Sequence, residues 1–96
     1  MSQFSDLLRK AAAEVRHYCA TAPDIKQSDR DWLLSLAHQM DDASAVEGDA
    51  EVEREIDTLH YSIIDSGPFP LTVRFAPSFD RAVDALQRRR KRERQK

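Results

Sequence analysis

The chain has 96 residues, of which 41% are hydrophobic, 33% charged and 7% aromatic, and its formal net charge is -2. This length and composition predict one folded domain, because a half-length chain could not bury a core and a disordered chain would carry fewer apolar residues. The single cysteine excludes an internal disulfide, and apolar runs of no more than three residues exclude a membrane span of about 20 residues. Because a signal-peptide pattern is also missing, we expect a cytoplasmic protein.

The first predicted helix begins near Phe4 and ends before Pro23, which cannot continue a helix. Its apolar residues recur at three- and four-residue steps, which places them on one face of about five helical turns. Ser2 or Ser5 is a candidate for the N-terminal cap. The predicted core face comprises Phe4, Leu7, Leu8, Ala11, Ala12, Val15, Tyr18, Cys19 and Ala22.

A second helix is predicted to start at Ser28, because residues 28–31 have the form of a capping box in which Asp31 replaces the usual Glu or Gln. Its apolar face comprises Leu33, Leu36, Ala37 and Met40, with Trp32 beside it. The helical pattern fades at residues 41–45, where we expect a loop or a change of direction.

The third predicted helix carries an apolar face of Val52, Ile56, Leu59 and Ile63, which Tyr61 and Ile64 would widen. Acidic residues are concentrated before and within its first turns, over residues 47–55, and carboxylates are favoured at the positive N-terminal end of a helix. The sequence Ser66-Gly67-Pro68 predicts a stop, because Gly accepts the left-handed conformation that ends many helices and Pro cannot continue one.

A Pro-rich segment, residues 67–78, contains three of the four prolines of the chain. Within it, residues 71–75 alternate apolar and polar side chains, which is typical of extended backbone. Because the sequence offers no second strand to pair with this one, we predict an extended covering arm between helices three and four rather than a sheet. In a homodimer, two such arms could pair.

Ser78 is the predicted cap of a fourth helix, whose apolar face comprises Phe79, Ala82, Val83 and Leu86. No apolar residue follows Leu86, so we expect the remaining residues to project from the core. We therefore interpret residues 1–86 as a helical domain and residues 87–96 as a basic tail that continues the last helix or frays from it.

The sequence lacks catalytic and metal-binding patterns. His17, His38 and His60 lie on different predicted segments, and no pair of His or Cys residues has the spacing of zinc ligands. The position of Cys19 on an apolar face indicates a buried, inert thiol. With two glycines in total, the chain offers no phosphate-binding loop and no nucleophile elbow. We therefore predict a protein that is not an enzyme and has no metal site and no cofactor.

The candidate interaction site is the basic tail, which contains Arg88, Arg89, Arg90, Lys91, Arg92 and Arg94. The net charge is -8 over residues 1–84 and +6 over residues 85–96, an asymmetry typical of an interaction tail. The cations suit three roles. They could form a solvated helix end, where the helix dipole favours them, or an arm that binds nucleic-acid phosphates. They could also contact an acidic protein surface, either residues 41–57 of the same chain or a second subunit or partner.

Two aromatic residues of the Pro-rich segment, Phe69 and Phe75, also have two interpretations. In the first they complete a core that contains few aromatic residues. In the second they are partly exposed and form a docking patch for a partner.

The fold predicted from these patterns is all-α: a small four-helix bundle with a Pro-rich extended arm between helices three and four. The predicted function is protein–protein binding by an acidic helical body with a basic tail. The alternative is binding of nucleic acid through the tail, although no aromatic residue in the tail could stack on bases and the acidic body would repel a polyanion. We expect no membrane partner, and a homodimer stays open.

Overall fold

In the computed structural model, which describes residues 3–66 and 74–94, the chain forms four α-helices, and these residues contain no strand. The helices are α1 (Gln3–Thr21), α2 (Gln27–Ser44), α3 (Asp49–Ser66) and α4 (Pro77–Arg94). The prediction of an all-α fold with four helices is confirmed. The predicted Pro-rich arm falls mainly on residues 67–73, which lie outside the described residues.

The core forms where the apolar faces of the four helices meet around α1. This helix packs against each of the other three, and most extensively against α2. Ala11 and Ala12 are fully buried, and such small side chains let neighbouring helices approach closely. The buried apolar residues are Phe4, Leu8, Ala11, Ala12, Val15 and Cys19 of α1, Leu33, Leu36, Ala37, Met40 and Ala43 of α2, Val52, Ile56, Leu59 and Ile63 of α3, and Phe75, Ala76, Phe79, Ala82 and Leu86 in and before α4.

The start of α2 differs from the prediction. Lys26 is the N-cap residue and makes no side-chain cap hydrogen bond, while Ser28 lies within the first turn of the helix. The Nε2 group of Gln27 donates a hydrogen bond of 2.8 Å to Oδ1 of Asp31. The Asp31 carboxylate, which was expected to complete the capping box, therefore pairs with Gln27 within the helix. The predicted capping box is wrong.

The end of α2 also differs from the prediction, because residues 41–45 do not form a loop. The helix continues to Ser44, whose hydroxyl donates a hydrogen bond of 2.7 Å to the carbonyl of Asp41. Ala43 and Ser44 are buried, so this last turn belongs to the packed interior. Gly48, with φ +90°, then leads the chain into α3 in a conformation that favours glycine.

The core face of α3 is narrower than predicted, because Tyr61 and Ile64 lie on the surface. Tyr61 is 73% exposed and Ile64 is 63% exposed. At about 100° per residue, Tyr61 lies roughly 180° around the helix from Val52, and Ile64 lies about 120° away. The predicted widening of the core face is therefore wrong, and the buried face of α3 consists of the four-residue stripe alone.

The start of α4 is held by a side chain of α1. The two carboxylate oxygens of Glu14 accept hydrogen bonds from the backbone N–H and the hydroxyl of Ser78, each 2.8 Å long. The N–H groups of Phe79 and Asp80 donate to the carbonyl of Ala76, so Ser78 lies inside the helix and does not cap it as predicted. Glu14 supplies the acceptor instead, and the helix dipole favours its negative charge there.

We predict that Glu14→Ala lowers the free energy of unfolding by about 1–2 kcal/mol, the range typical of a lost helix cap. Ser78→Ala should cost less, because the backbone N–H still donates to Glu14. The control is Glu47→Ala, which removes an exposed carboxylate from the turn between α2 and α3. Urea denaturation followed by circular dichroism measures the effect, and equal stabilities for the Glu14 and Glu47 variants would contradict the proposed role of Glu14.

Candidate interaction surface on the fourth helix

Residues 87–94 of the basic tail form the last part of α4. The helix continues through residue 86 without interruption and ends at Arg94. Lys91, Arg92 and Arg94 lie in its last turn, where the negative end of the helix dipole favours cations. The division of the chain into residues 1–86 and residues 87–96 stays a prediction.

Arg90 attaches this part of α4 to α3. Its two terminal nitrogens donate to both carboxylate oxygens of Asp57, with distances of 3.0 Å from Nη1 to Oδ1 and 2.7 Å from Nη2 to Oδ2. Such bidentate pairs have a defined geometry and are stronger than single hydrogen bonds. The hydrogen bond to Asp57 raises the pKa of Arg90 above its ordinary value. An Arg side chain is charged at any pH at which proteins are folded, and the pair with Asp57 reinforces this charge.

Arg89 is the second attachment, and it also reaches α1. Its guanidinium contacts the Glu53 carboxylate of α3 and lies over the ring of Phe4, with 5.6 Å between the central carbon and the ring centroid. This distance is within the range of cation–π attraction. The Glu53 side chain is only 15% exposed, so water and salt screen this ion pair less than the pair of Arg90 with Asp57.

The expectation that residues after Leu86 project from the core is wrong for Arg89 and Arg90. Ion pairs with α3 and an aromatic ring of α1 hold this turn, although no apolar side chain follows Leu86. Sequence reasoning named the acidic region of residues 41–57 but not the individual partners. The available signal was the four-residue spacing of Glu53 and Asp57, which puts both carboxylates on neighbouring turns of α3.

Of the other cations, Arg88, Lys91 and Arg92 lie on the outward side of α4, whereas Arg94 lies one turn beyond Arg90, about 40° from it around the helix. Arg88 Nη2 lies 3.0 Å from Oδ2 of Asp84, one turn earlier on the same helix. Lys91, Arg92 and Arg94 are exposed and make no ion pair with any residue in the ranges 3–66 and 74–94. Of the six predicted interaction cations, half are thus paired within the chain and half remain available to a partner.

A cleft of about 600 Å³, which we call the arginine cleft, opens between the outward side of α4 and the start of α1. Its lining contains four guanidinium groups and two carboxylates, so it carries an excess of positive charge. Arg81 is a member of this site that the sequence prediction missed. The signal was its spacing of seven residues from Arg88, which places both on one face of α4. The lining residues are Gln3, Phe4, Asp49, Arg81, Asp84, Ala85, Arg88, Arg89 and Arg92.

Of the two aromatic candidates of the Pro-rich segment, the structure describes Phe75 alone. Phe75 is 1% exposed, and its ring packs against Tyr18 and Trp32 at centroid distances of 6.4 Å and 6.5 Å. This burial favours the core interpretation for Phe75, because its ring packs against one aromatic ring of α1 and one of α2 just before α4 begins. Phe69 lies outside the described residues.

The three histidines that were considered as metal ligands lie on three different helices, His17 on α1, His38 on α2 and His60 on α3. Within residues 3–66 and 74–94, no three side chains of His, Cys, Asp or Glu are arranged to hold a metal ion. Burial raises the pKa of the Cys19 thiol, against a smaller lowering by Arg30, so this group is held in its unreactive form. The His60 ring packs against Phe79 with 6.4 Å between centroids. None of the helices in the described part of the chain combines the length and the apolar composition needed to cross a membrane.

Comparisons of the chain with protein-family models, with curated proteins and with solved structures gave no match.

We predict that the double variant Glu53→Gln/Asp57→Asn speeds amide hydrogen exchange in residues 88–94 by about five- to tenfold, because the tail loses both of its α3 partners. The matched control is Glu55→Gln, which removes an exposed carboxylate that lies between these two positions in α3. Mass spectrometry after exchange in heavy water measures the effect. Equal exchange in the double variant and the control would show that the ion pairs do not hold this part of α4.

Proposed function

We propose that this protein is a non-enzymatic binding domain that docks an acidic surface of another protein with the exposed cations at the C-terminal end of α4. The observation that carries the proposal is the last turn of the helix. Lys91, Arg92 and Arg94 are exposed there, and no described residue pairs with them. These three cations lie within four residues and are interrupted only by Glu93, whose carboxylate lies 3.6 Å from Nε of Arg89.

The contacts of Arg89 and Arg90 support this role, because they hold the basic turn against α3 and α1. The three exposed cations are therefore presented on an ordered helix. A partner that binds them has less conformational entropy to remove than it would on a free tail. The fixed spacing of the charges also provides some geometric selectivity for the partner.

The distribution of negative charge favours a protein partner over nucleic acid. Residues 1–84 carry a net charge of -8, and Asp80 and Asp84 lie on α4 itself. A nucleic acid extends well beyond one helical turn, so its phosphates would approach these carboxylates within the screening length of about 8 Å. An acidic patch on a protein can be small enough to contact the three cations without approaching these carboxylates. Phe4, the aromatic ring beside the tail, is buried and offers no face for base stacking.

Nucleic acid is the second candidate, favoured by the same three cations, since each Lys or Arg that neutralises a phosphate releases a counterion. The proposal also includes a cytoplasmic location. Its support is the buried, free thiol of Cys19 in a chain with one cysteine, which suits a reducing compartment.

We predict that Lys91→Gln/Arg92→Gln/Arg94→Gln weakens binding of the protein partner at least tenfold, because three exposed charge contacts of about 0.5–1 kcal/mol each are lost. The partner is captured from source cells with the tagged full chain, identified by mass spectrometry, purified and titrated by calorimetry at two salt concentrations. The dependence of affinity on salt should fall with the loss of the three cations.

The control for this experiment is Lys10→Gln/Lys26→Gln/Arg74→Gln, which changes the net charge equally at three exposed cations outside α4. Equal affinities of both triple variants for the purified partner would contradict the proposal. A labelled DNA duplex or RNA strand that binds tightly and loses affinity in the α4 variant alone, with no protein partner captured, would replace it with the second candidate.

A further inference from the structure

We infer that the arginine cleft is a docking groove for an acidic α-helix of the protein partner, whose carboxylates are spaced four and seven residues apart. The inference rests on the proposed function, because it names the part of the partner that the outward side of α4 contacts. It extends the contact from the last turn to Arg81 and Arg88 of the cleft, and Arg92 belongs to both sets of cations.

The first support is the alignment of the three cations. Arg81, Arg88 and Arg92 lie seven and four residues apart, so their directions around α4 differ by no more than about 40°. At about 1.5 Å per residue, their separations along the helix are about 10 Å and 6 Å. Ala85, on the same face between Arg81 and Arg88, has a small side chain that leaves the cleft of about 600 Å³ open.

The second support is the charge that the lining leaves unmatched. Arg81 and Arg92 make no ion pair with the described residues 3–66 and 74–94. Arg88 pairs with Asp84, but both side chains are more than half exposed, and such pairs contribute only about 0.3–0.5 kcal/mol. A ligand carboxylate can therefore compete for Arg88 as well as bind the other two guanidinium groups.

The third support is the match in spacing between α4 and a second helix. Carboxylates four and seven residues apart on a helix repeat the separations of about 6 Å and 10 Å. An extended segment does not fit, since about 10 Å is three residues of strand, and the third residue points to the opposite face. On another side, α4 already pairs arginines with carboxylates of a helix, because Arg89 and Arg90 contact Glu53 and Asp57 of α3, although these two arginines are adjacent and do not repeat the spacing of the cleft.

The carboxylates of the cleft act against such a ligand. Asp84 lies between Arg81 and Arg88 in the sequence of α4, and Asp49 lines the cleft from α3. Asp84 both neutralises Arg88 and repels an approaching carboxylate. Removal of its charge should consequently strengthen binding, which is an effect opposite in sign to the loss of an arginine.

The inference is tested with two fluorescent helical peptides of identical composition. In the first, three glutamates lie at positions i, i+4 and i+11, and in the second they lie on three different faces of the helix. We expect the full chain to bind the first peptide at least fivefold more tightly, as measured by fluorescence anisotropy. Equal affinity for the two peptides, or binding of neither, would overturn the inference, because only unspecific charge attraction or none would remain.

Variants of the chain locate the groove. Arg81→Gln/Arg92→Gln should abolish the preference for the first peptide, whereas the control Lys10→Gln/Lys26→Gln should retain it. Asp84→Asn should raise the affinity about two- to fivefold. Far-ultraviolet circular dichroism checks that each variant is folded, and all five side chains are exposed. A preference that survives loss of Arg81 and Arg92 would place the peptide elsewhere and contradict the inference.

The two proposals can fail separately. If the purified partner depends on the last-turn cations but the chain does not distinguish the two peptides, the proposed function stands and the inference is wrong. If the first peptide is preferred but Lys91→Gln/Arg94→Gln leaves the affinity of the captured partner unchanged, the docking groove stands without the proposed role of Lys91 and Arg94. If DNA or RNA displaces the first peptide and no protein partner is captured, the acidic-helix ligand is wrong as well.

Discussion

Together with the buried apolar face of α4, the carboxylate of Glu14 determines where this helix lies on the bundle. Its hydrogen bonds to Ser78 fix the start of the helix at one point of α1, and the rest of α4 follows from the rigidity of a helix. Eleven residues later, about 16 Å along the axis, Arg89 reaches the ring of Phe4 near the other end of α1. A shift of α4 by one turn would separate Arg89 from Phe4 and from Glu53 together. The position of the basic surface therefore depends on contacts at both ends of α4 and on the buried apolar face between them.

The two oppositely charged parts of the chain neutralise each other only in part. Glu53 and Asp57 absorb the charge of Arg89 and Arg90, which leaves one side of α4 close to neutral and the other strongly basic. Beyond Leu86, where its apolar face ends, α4 therefore has one nearly neutral side and one basic side. The surrounding carboxylates then limit which anions can approach, because a large polyanion meets repulsion at the margins of the basic surface.

Helical periodicity was sufficient to predict the four helices and most of the core, because the buried face of each helix repeats in the sequence itself. It failed where residue type was considered without its angle on the helix, as for Tyr61. It also failed at helix ends, because a cap depends on which acceptor reaches a free N–H. For Ser78 that acceptor is Glu14, which is distant in sequence. The composition of the tail was sufficient to predict its cations as a candidate site. That Arg81 lines the same cleft is seen only once α4 lies beside the start of α1.

Trp32, the single tryptophan of the chain, is an internal fluorescent reporter that senses only one part of the bundle. Its ring meets Phe75 nearly edge-on, with an angle of 81° between the ring planes, just before α4 begins. Indole emission therefore senses the junction of α2 with the start of α4 and is insensitive to the basic end of that helix. A denaturation curve recorded from this emission would overlook early fraying of the last turns, while backbone ellipticity would register it. Any offset between the two transitions measures how far the last turns of α4 open before the rest of the bundle.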